Sequence, residues 1–168
     1  MPRFAEVTHA EWIGAPVATV RRQFADLRHH IAANVHPKLA LRELEARDGV
    51  ERFEQRVRLL GLTQRDVFER RFAPDGTMTD ESVEGFNEGG SLVFRFRPEP
   101  RGGRDGTVVE TTIRLPLPPV IGPLLRPLLE AQVRRELTAA VAEDKHDLEV
   151  RGYPARGAEV AGGVEARA

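Results

Sequence analysis

Four of the five histidines are placed where they could hold a metal ion or act as a general base: His9, His29, His30 and His36. Zinc ligands must converge, whereas adjacent histidines on a helix point about 100° apart, and the sequence contains no H-E-x-x-H pattern. We therefore predict no metal and no cofactor, and interpret His29 and His30 as residues that stabilise the C-terminal end of a helix. His9 or His36 could still face a cavity and remove a proton next to a carbonyl group.

Carboxylates cluster near the end of the chain at Glu143, Asp144 and Asp147. Negative charge is unfavourable at the C-terminal end of a helix, so we expect nearby cations to compensate, with Lys145 and Arg151 the nearest candidates. We interpret the three carboxylates as a solvated helix end. A catalytic carboxylate cluster is the alternative interpretation.

Arginines and glutamates alternate between residues 51 and 71. Interleaved charges of both signs are typical of a solvent-exposed sheet face, and the segment has few aromatic side chains on which bases could stack. We therefore predict no nucleic-acid partner. The residues concerned are Arg52, Arg56, Arg58, Arg65 and Arg71 with Glu51, Glu54 and Glu69.

The composition limits the classes of protein and partner. A chain of 168 residues with 40% hydrophobic content fits one domain, and 25 basic against 26 acidic residues create no overall field toward nucleic acid or an anionic membrane. The absence of cysteine favours a cytoplasmic location. No apolar run has the length of a signal peptide or a membrane span, so we predict no stable membrane insertion. The oligomeric state stays open.

Apolar spacing and turn residues predict the elements that position these groups. AEVTHAEWIG is typical of a strand, and PVATVRRQFADLRHHIAANVHP carries apolar residues three and four apart, from Val17 to Ile31, as in one amphipathic helix that ends before Pro37. Six segments between residues 39 and 118 then alternate in hydrophobicity and are closed by Gly, Asp-Gly or Pro. They predict an antiparallel meander with one apolar face.

The stretch LPLPPVIGPLLRPLLEAQVRRELTAAVAEDKHDLE has five prolines among its first thirteen residues and none after them. Proline disrupts helix interiors, so we predict a helix that starts at Pro123 or, more safely, at Pro127 and continues to about Asp147. Its roughly 20 to 25 residues would span about 30 to 38 Å, enough to cross a sheet. After Pro154 the sequence lacks aromatic residues and periodicity, so we predict one domain over residues 1–154 and a disordered tail over 155–168.

This order of elements resembles the START-like superfamily, also called SRPBCC, which includes polyketide cyclase/dehydrase-like and coenzyme Q-binding-like proteins. The resemblance is carried by EWIGAPVATV, by Gly106-Thr107 leading into VVETTIRLPLP, and by EDKHDLEVRGYP, and it covers about residues 4 to 154. It implies an α+β helix-grip fold: a curved antiparallel sheet of about seven strands wrapped around a long C-terminal helix, with one or two shorter helices after the first strand. It also implies an internal cavity for lipids, polyketides or other apolar molecules.

Strand alternation identifies four polar residues that would share the inner, apolar face of the sheet: Gln55, Asp66, Arg70 and Thr111. If Asp66 and Arg70 are both inside, we expect a buried Asp–Arg pair, since either charge alone is costly there. The alternative is that both lie near a strand end or a bulge and reach solvent. The predicted ligand-binding residues are Gln55, Val57, Leu59, Asp66, Phe68, Arg70, Phe94, Phe96, Thr111, Ile113, Leu125, Leu129 and Val133.

Three functions are compatible with such a cavity. We predict a protein that binds an apolar or aromatic small molecule between the sheet and the C-terminal helix, because an apolar pocket with a few polar groups is what a small-molecule site requires. The alternative is a polyketide aromatase/cyclase-type enzyme, which needs two convergent titratable groups in the cavity. A weaker third hypothesis is an interaction module that holds a partner peptide or a lipid tail.

Overall fold

The computed structural model describes residues 4–154, in which seven strands form one antiparallel sheet. The strands are β1 (Phe4–Ile13), β2 (Ala40–Arg47), β3 (Val50–Leu59), β4 (Leu62–Phe72), β5 (Met78–Gly85), β6 (Ser91–Pro98) and β7 (Thr107–Pro116). The strand order is β1-β7-β6-β5-β4-β3-β2, so the last six strands form a meander and β1 closes on the final one. The predicted meander and its first strand are confirmed. The predicted tail over 155–168 lies outside the described residues.

Backbone turns set the strand register, as the Gly-containing breakers predict. Asp48 and Gly49 both have positive φ, at 54° and 74°, which is the two-residue turn that matches the twist of the flanking strands. Gly85 has a φ of 123° beside a register shift between β4 and β5. A Cβ there would lie 2.2 Å from the Arg65 carbonyl oxygen, so this irregularity requires glycine. Such irregularities bend the strand and increase its twist.

The predicted first helix is divided into two, α1 (Val17–Ala25) and α2 (Leu27–Ala32). Asp26 lies between them with a non-helical ψ of 76°, and its side chain accepts a hydrogen bond from the backbone N–H of His29 at 2.9 Å. Aspartate is a strong N-cap residue, so it begins a second helix rather than continuing the first. The turn redirects α2 and places its histidines beside the C-terminal helix.

The long helix α3 (Gly122–His146) begins earlier than the safer prediction and is followed by a π-helical turn, Asp147–Arg151. Pro123 occupies the first turn, where its missing N–H costs nothing, and Pro127 is accommodated inside the helix on an exposed face. Water can therefore solvate the carbonyl that Pro127 leaves unpaired. The helix begins one residue before Pro123, the earlier of the two predicted starts, and more than one turn before Pro127.

The apolar stripe of α3 packs on the concave face of the sheet. Leu129, Val133, Leu137 and Val141 share one core cluster with Ala5, Val7, Leu59 and Leu115. A second cluster joins α1 to β6 and β7, and a third joins α2 to the aromatic residues of β3 and β4. In the described part of the chain, no helix is both long and apolar enough to cross a membrane.

Candidate functional site

A cavity of about 170 Å³ lies between the sheet and α3. It is comparable with the roughly 150 Å³ apolar cavity that admits benzene in another protein. Every strand except β1 contributes to its wall, together with α1, α2, α3 and two loops. The lining residues are Phe24, Leu27, His30, His36, Leu39, Leu41, Phe53, Gln55, Val57, Leu59, Phe68, Arg70, Asp80, Asn87, Leu92, Phe94, Ile113, Leu115, Val133, Glu136, Leu137, Ala140, Val141 and Asp144.

Eight of the thirteen predicted site residues line this cavity: Gln55, Val57, Leu59, Phe68, Arg70, Phe94, Ile113 and Val133. The strand alternation therefore identified most of the inner face of β3, β4 and β6. The other five do not line it: Asp66, Phe96, Thr111, Leu125 and Leu129.

Four of these five residues, all except Asp66, lie as follows. Phe96 packs edge-on against Phe24 with ring centroids 5.5 Å apart, and Leu129 is buried against β1 and β7. Thr111 is fully buried, and its hydroxyl has no hydrogen-bond partner among the described residues. Leu125 is half-buried near the start of α3, one helical turn before Leu129.

Arg70 is buried and pairs with Asp80, not with Asp66 as the sequence suggested. Its Nε and Nη2 donate to the two carboxylate oxygens of Asp80 at 2.7 and 2.8 Å, and Nη1 donates to the carbonyl of Ala25 at 3.2 Å. Asp80 is the direct neighbour of Arg70 across β4 and β5, whereas Asp66 lies four residues away along the same strand, roughly 13 Å. Burial alone would lower the pKa of Arg70, but the hydrogen bonds and charge of Asp80 outweigh it and raise that pKa.

Asp66 is buried at the β4–β5 irregularity and accepts hydrogen bonds from neutral groups. The Asn87 backbone N–H and side-chain amide donate to it at 2.6 and 2.8 Å, and the Ser82 hydroxyl donates at 3.2 Å. These bonds fix the loop between β5 and β6, where Asn87 reaches the cavity wall. The alternative that Asp66 and Arg70 both reach solvent is wrong, since they are 2% and 8% exposed.

A cluster of histidines and aspartates forms another part of the cavity wall, and the sequence analysis did not assemble it. The Nε2 atoms of His30 and His36 lie 3.0 and 3.4 Å from the same oxygen, Oδ1 of Asp144. The Nδ1 atom of His30 lies 2.7 Å from the carbonyl oxygen of Asp26, and that of His36 lies 2.8 Å from a carboxylate oxygen of Glu143. His30, His36 and Asp144 line the cavity, so it does contain convergent titratable groups.

A parallel pair extends this cluster away from the cavity. His29 Nε2 lies 2.7 Å from Asp147 Oδ2, and the Gln23 amide donates to both Asp144 and Asp147 at 3.1 Å. His29 and His30 therefore do contact different carboxylates, as adjacent helical residues must. The sequence argument did not consider His30 together with His36, which the loop after α2 brings back to the same carboxylate.

The carboxylates and histidines shift one another's pKa. Burial would lower the pKa of His36, but its hydrogen bonds to Asp144 and Glu143 raise it to about 9. Burial would raise the pKa of Asp144, but the hydrogen bonds from His30 and His36 lower it to about 2. Asp144 and the His36 ring are therefore both charged at neutral pH, at a place that excludes most water.

Two sequence interpretations are corrected by this cluster. Asp144 and Asp147 are 4% and 2% exposed, so they are not a solvated helix end. Lys145 pairs with Glu11 of β1 and does not compensate them, whereas Arg151 Nη1 lies 3.8 Å from Asp147 Oδ1, as expected for a compensating cation. His29 and His30 do lie in the last turn of α2, but their ring nitrogens contact the buried carboxylates of the C-terminal helix region. His9 is on β1 and does not line the cavity.

The sequence contained one signal for the cluster. The buried stripe of α3 runs Val133, Leu137 and Val141, and three residues further on it reaches Asp144. Continuing the helical period past the last apolar residue would have placed this carboxylate inward. Asp80 carried a weaker signal: it alternates with Met78 and Ser82, both fully buried.

The interleaved charges of β3 and β4 form ion pairs on the outer face of the sheet. Glu54 accepts hydrogen bonds from Arg42, Arg56 and Arg65 at 2.9, 3.1 and 2.7 Å, and Glu69 accepts one from Arg71 at 2.8 Å. The pKa of Glu54 is lowered to about 2, chiefly by the hydrogen bond from Arg65.

No known family profile matches the sequence, and no curated protein matches it. Several solved structures do match its fold. A protein of Thermus thermophilus is 20% identical with a TM-score of 0.67, over 84% of this chain and 94% of that one. The Zhui aromatase/cyclase from a Streptomyces species is 19% identical with a TM-score of 0.62, over 89% and 98%. A START superfamily protein from Mycobacterium smegmatis is 16% identical with a TM-score of 0.66, over 85% and 98%.

These similarities establish the class of fold. The chain has the START-like helix-grip fold that its order of elements predicted: a curved seven-stranded antiparallel sheet around a long C-terminal helix, with two short helices after β1. Structures with this fold include an aromatase/cyclase and a START superfamily protein. A fold alone does not assign a function, so the function must be argued from the cavity.

Proposed function

We propose that this protein binds an apolar or aromatic small molecule, such as a lipid or a polyketide-like compound, in the cavity between the sheet and α3. The observation that carries the proposal is the wall itself. Leucine, valine, isoleucine and phenylalanine side chains form most of it, and polar groups interrupt it at a few fixed points. Apolar area supplies affinity in such a pocket, and the polar groups select the orientation of the ligand.

The polar groups of the wall differ in how free they are to meet a ligand. Arg70 and Asp80 satisfy each other, whereas the side chain of Gln55 makes no hydrogen bond to another residue within the described range 4–154. Gln55 is therefore the group that we expect to recognise a carbonyl or hydroxyl of the ligand. Its amide can both donate and accept.

The experiment fills the cavity and leaves the rest of the helix unchanged. Ala140 lines the cavity, and Ala142, two residues further along α3, is exposed. We expect Ala140→Trp to abolish binding of an uncharged apolar dye and of a fluorescent fatty acid, while Ala142→Trp binds both like the wild type. Equal binding by wild type and Ala140→Trp, with both folded, would place the ligand elsewhere and refute the proposal.

A second function, an aromatase/cyclase-type enzyme, is favoured by one observation: His36 and Asp144 converge on the cavity wall. With a pKa of about 9, His36 is protonated at neutral pH and can donate to a carbonyl oxygen of a bound polyketone. We therefore propose that His36 would act as a general acid in such an enzyme, whereas the sequence suggested a general base. Turnover of a poly-β-keto substrate mimic by the wild type but not by His36→Gln would support the enzyme, and binding without turnover would support the binder.

A further inference from the structure

Three side chains from separate parts of the chain present ligand atoms to one point. His30 comes from α2, His36 from the loop after it and Asp144 from the last turn of α3. Their ligand atoms all lie within 4.8 Å of one another, and the two Nε2 atoms are 3.0 and 3.4 Å from Oδ1 of Asp144. His30 and Asp144 are buried, and the His36 side chain is 10% exposed.

The hydrogen bonds around the two rings turn both Nε2 atoms toward the same carboxylate oxygen. The Nδ1 atom of each ring faces an oxygen that can only accept, the Asp26 carbonyl for His30 and the Glu143 carboxylate for His36, so each Nδ1 carries its proton. The Nε2 atoms then both face a carboxylate oxygen, which also only accepts. Both Nε2 atoms therefore point toward the place where an ion bound to Oδ1 of Asp144 would lie, and the two ring centroids are 5.1 Å apart.

We propose that His30, His36 and Asp144 form a binding site for one divalent first-row transition-metal ion such as Zn(II). Two imidazoles and one carboxylate suit such ions, with bonds of about 2.0 to 2.2 Å. Ligand atoms on a tetrahedron of that size lie about 3.3 Å apart, close to the two nitrogen–oxygen separations of 3.0 and 3.4 Å. Three protein ligands leave a coordination position open, and all three residues line the cavity, so a bound molecule can reach it.

The hydrogen bonds at the Nδ1 atoms of His30 and His36 are of the kind that orient histidine ligands in metal sites. Metal-bound histidines usually donate their other N–H to a carbonyl or a carboxylate, which fixes the tautomer and the ring direction. Asp26 and Glu143 supply those two acceptors here. The inference goes beyond the proposed function, because metal binding is measured on the protein without an organic ligand and can succeed or fail independently of it.

The test titrates the full-length, chelator-treated protein with Co(II), followed by its visible ligand-field absorption, and with Zn(II) by calorimetry. We expect one ion per chain, and X-ray absorption of the Zn(II) form should show two imidazoles and an oxygen ligand. His36→Gln should weaken Zn(II) binding by more than roughly 100-fold, because it removes a ligand of the ion. Glu143→Gln should weaken Zn(II) binding by roughly 10- to 100-fold, because it removes the carboxylate that orients the His36 ring. His146→Gln, on the exposed side of the same helix, is the control and should bind like the wild type.

Circular dichroism establishes that each variant is folded. If His36→Gln does not fold, the ligands seen by X-ray absorption of the wild-type Zn(II) form test the proposal instead. Absence of Co(II) and Zn(II) binding by the wild type would overturn the proposal and leave the cluster as a network of ion pairs. Binding by His36→Gln equal to the wild type, or a loss shared by His146→Gln, would also overturn it.

Discussion

Replacement of Arg70 by methionine tests the inner polar layer of the sheet. The Arg70 and Asp80 side chains are 7% and 4% exposed and are joined by two hydrogen bonds of 2.7 and 2.8 Å. Arg70→Met keeps most of the side-chain length, and it leaves the Asp80 carboxylate buried without its partner. Removing one member of a buried ion pair costs roughly 3 to 5 kcal/mol, because the remaining charge is not compensated.

The double variant Arg70→Met/Asp80→Leu separates the pair from its packing. It removes both charges at once, and replacing a buried pair with apolar residues is often close to neutral. We therefore expect it to be more stable than Arg70→Met alone, with a coupling energy on the order of 3 kcal/mol. The free energy of unfolding is measured in urea, and the melting temperature of Arg70→Met should fall by roughly 6 to 20 °C for a chain of this size.

Arg95→Met is the matched control, since Arg95 pairs with Glu110 at 3.5 Å and both side chains are about half exposed. It should change stability by no more than about 0.5 kcal/mol. The single variant Asp80→Leu completes the comparison. If Arg70→Met behaved like Arg95→Met, or if the losses of Arg70→Met and Asp80→Leu simply added in the double variant, the buried pair would be refuted.

Three further outcomes follow from the described contacts. Leu129→Asp should lower the free energy of unfolding by several kcal/mol, because Leu129 is 8% exposed in the helix–sheet core. Leu128→Asp is the control and should be nearly neutral, because Leu128 is 59% exposed. Equal melting temperatures of the two variants would refute the packing of α3. Gln55→Met should weaken the binding of a carbonyl-bearing probe by roughly 2- to 10-fold and leave the binding of a hydrocarbon probe unchanged. If titrations showed the same loss of affinity for both probes, Gln55 would not be the group that recognises a carbonyl. The pKa of Glu54 is lowered to about 2, so its ionised side chain stabilises the fold above the unfolded pKa of 4.5, and this stabilisation is lost as the pH falls toward 2. The difference in unfolding free energy between wild type and Glu54→Gln should therefore shrink between pH 4.5 and pH 2 in acid titrations. A constant difference would contradict the arginine contacts.

The fold was predictable because its signals are local. Each strand ends at a turn residue with a specific backbone requirement, as at Asp48-Gly49, and alternation within each strand then decides which side chains face inward. Gln55, Val57 and Phe68 were placed on the cavity wall by that alternation.

The polar layer was not predictable to the same extent, because it depends on which elements meet. Alternation identifies Arg70 as inward, but only the register of β4 against β5 selects Asp80 as its partner. The histidine cluster depends on a helix break at Asp26 and on the docking of α2 against α3. Both depend on contacts between residues far apart in the sequence. The sequence does contain two local signals, the preference of Asp26 for a helix N-cap and the helical spacing that places Asp144 on the buried side of α3.

The most direct test of the central claim is native mass spectrometry of the freshly purified full-length protein, compared with the Ala140→Trp variant. We predict that the wild type carries a co-purifying small apolar or aromatic molecule, or takes one up stoichiometrically from a mixture of fatty acids and aromatic polyketones, and that Ala140→Trp does not. A wild-type protein that remains ligand-free in every such mixture, or an Ala140→Trp variant that carries the same molecule, would contradict a ligand-binding cavity between the sheet and α3.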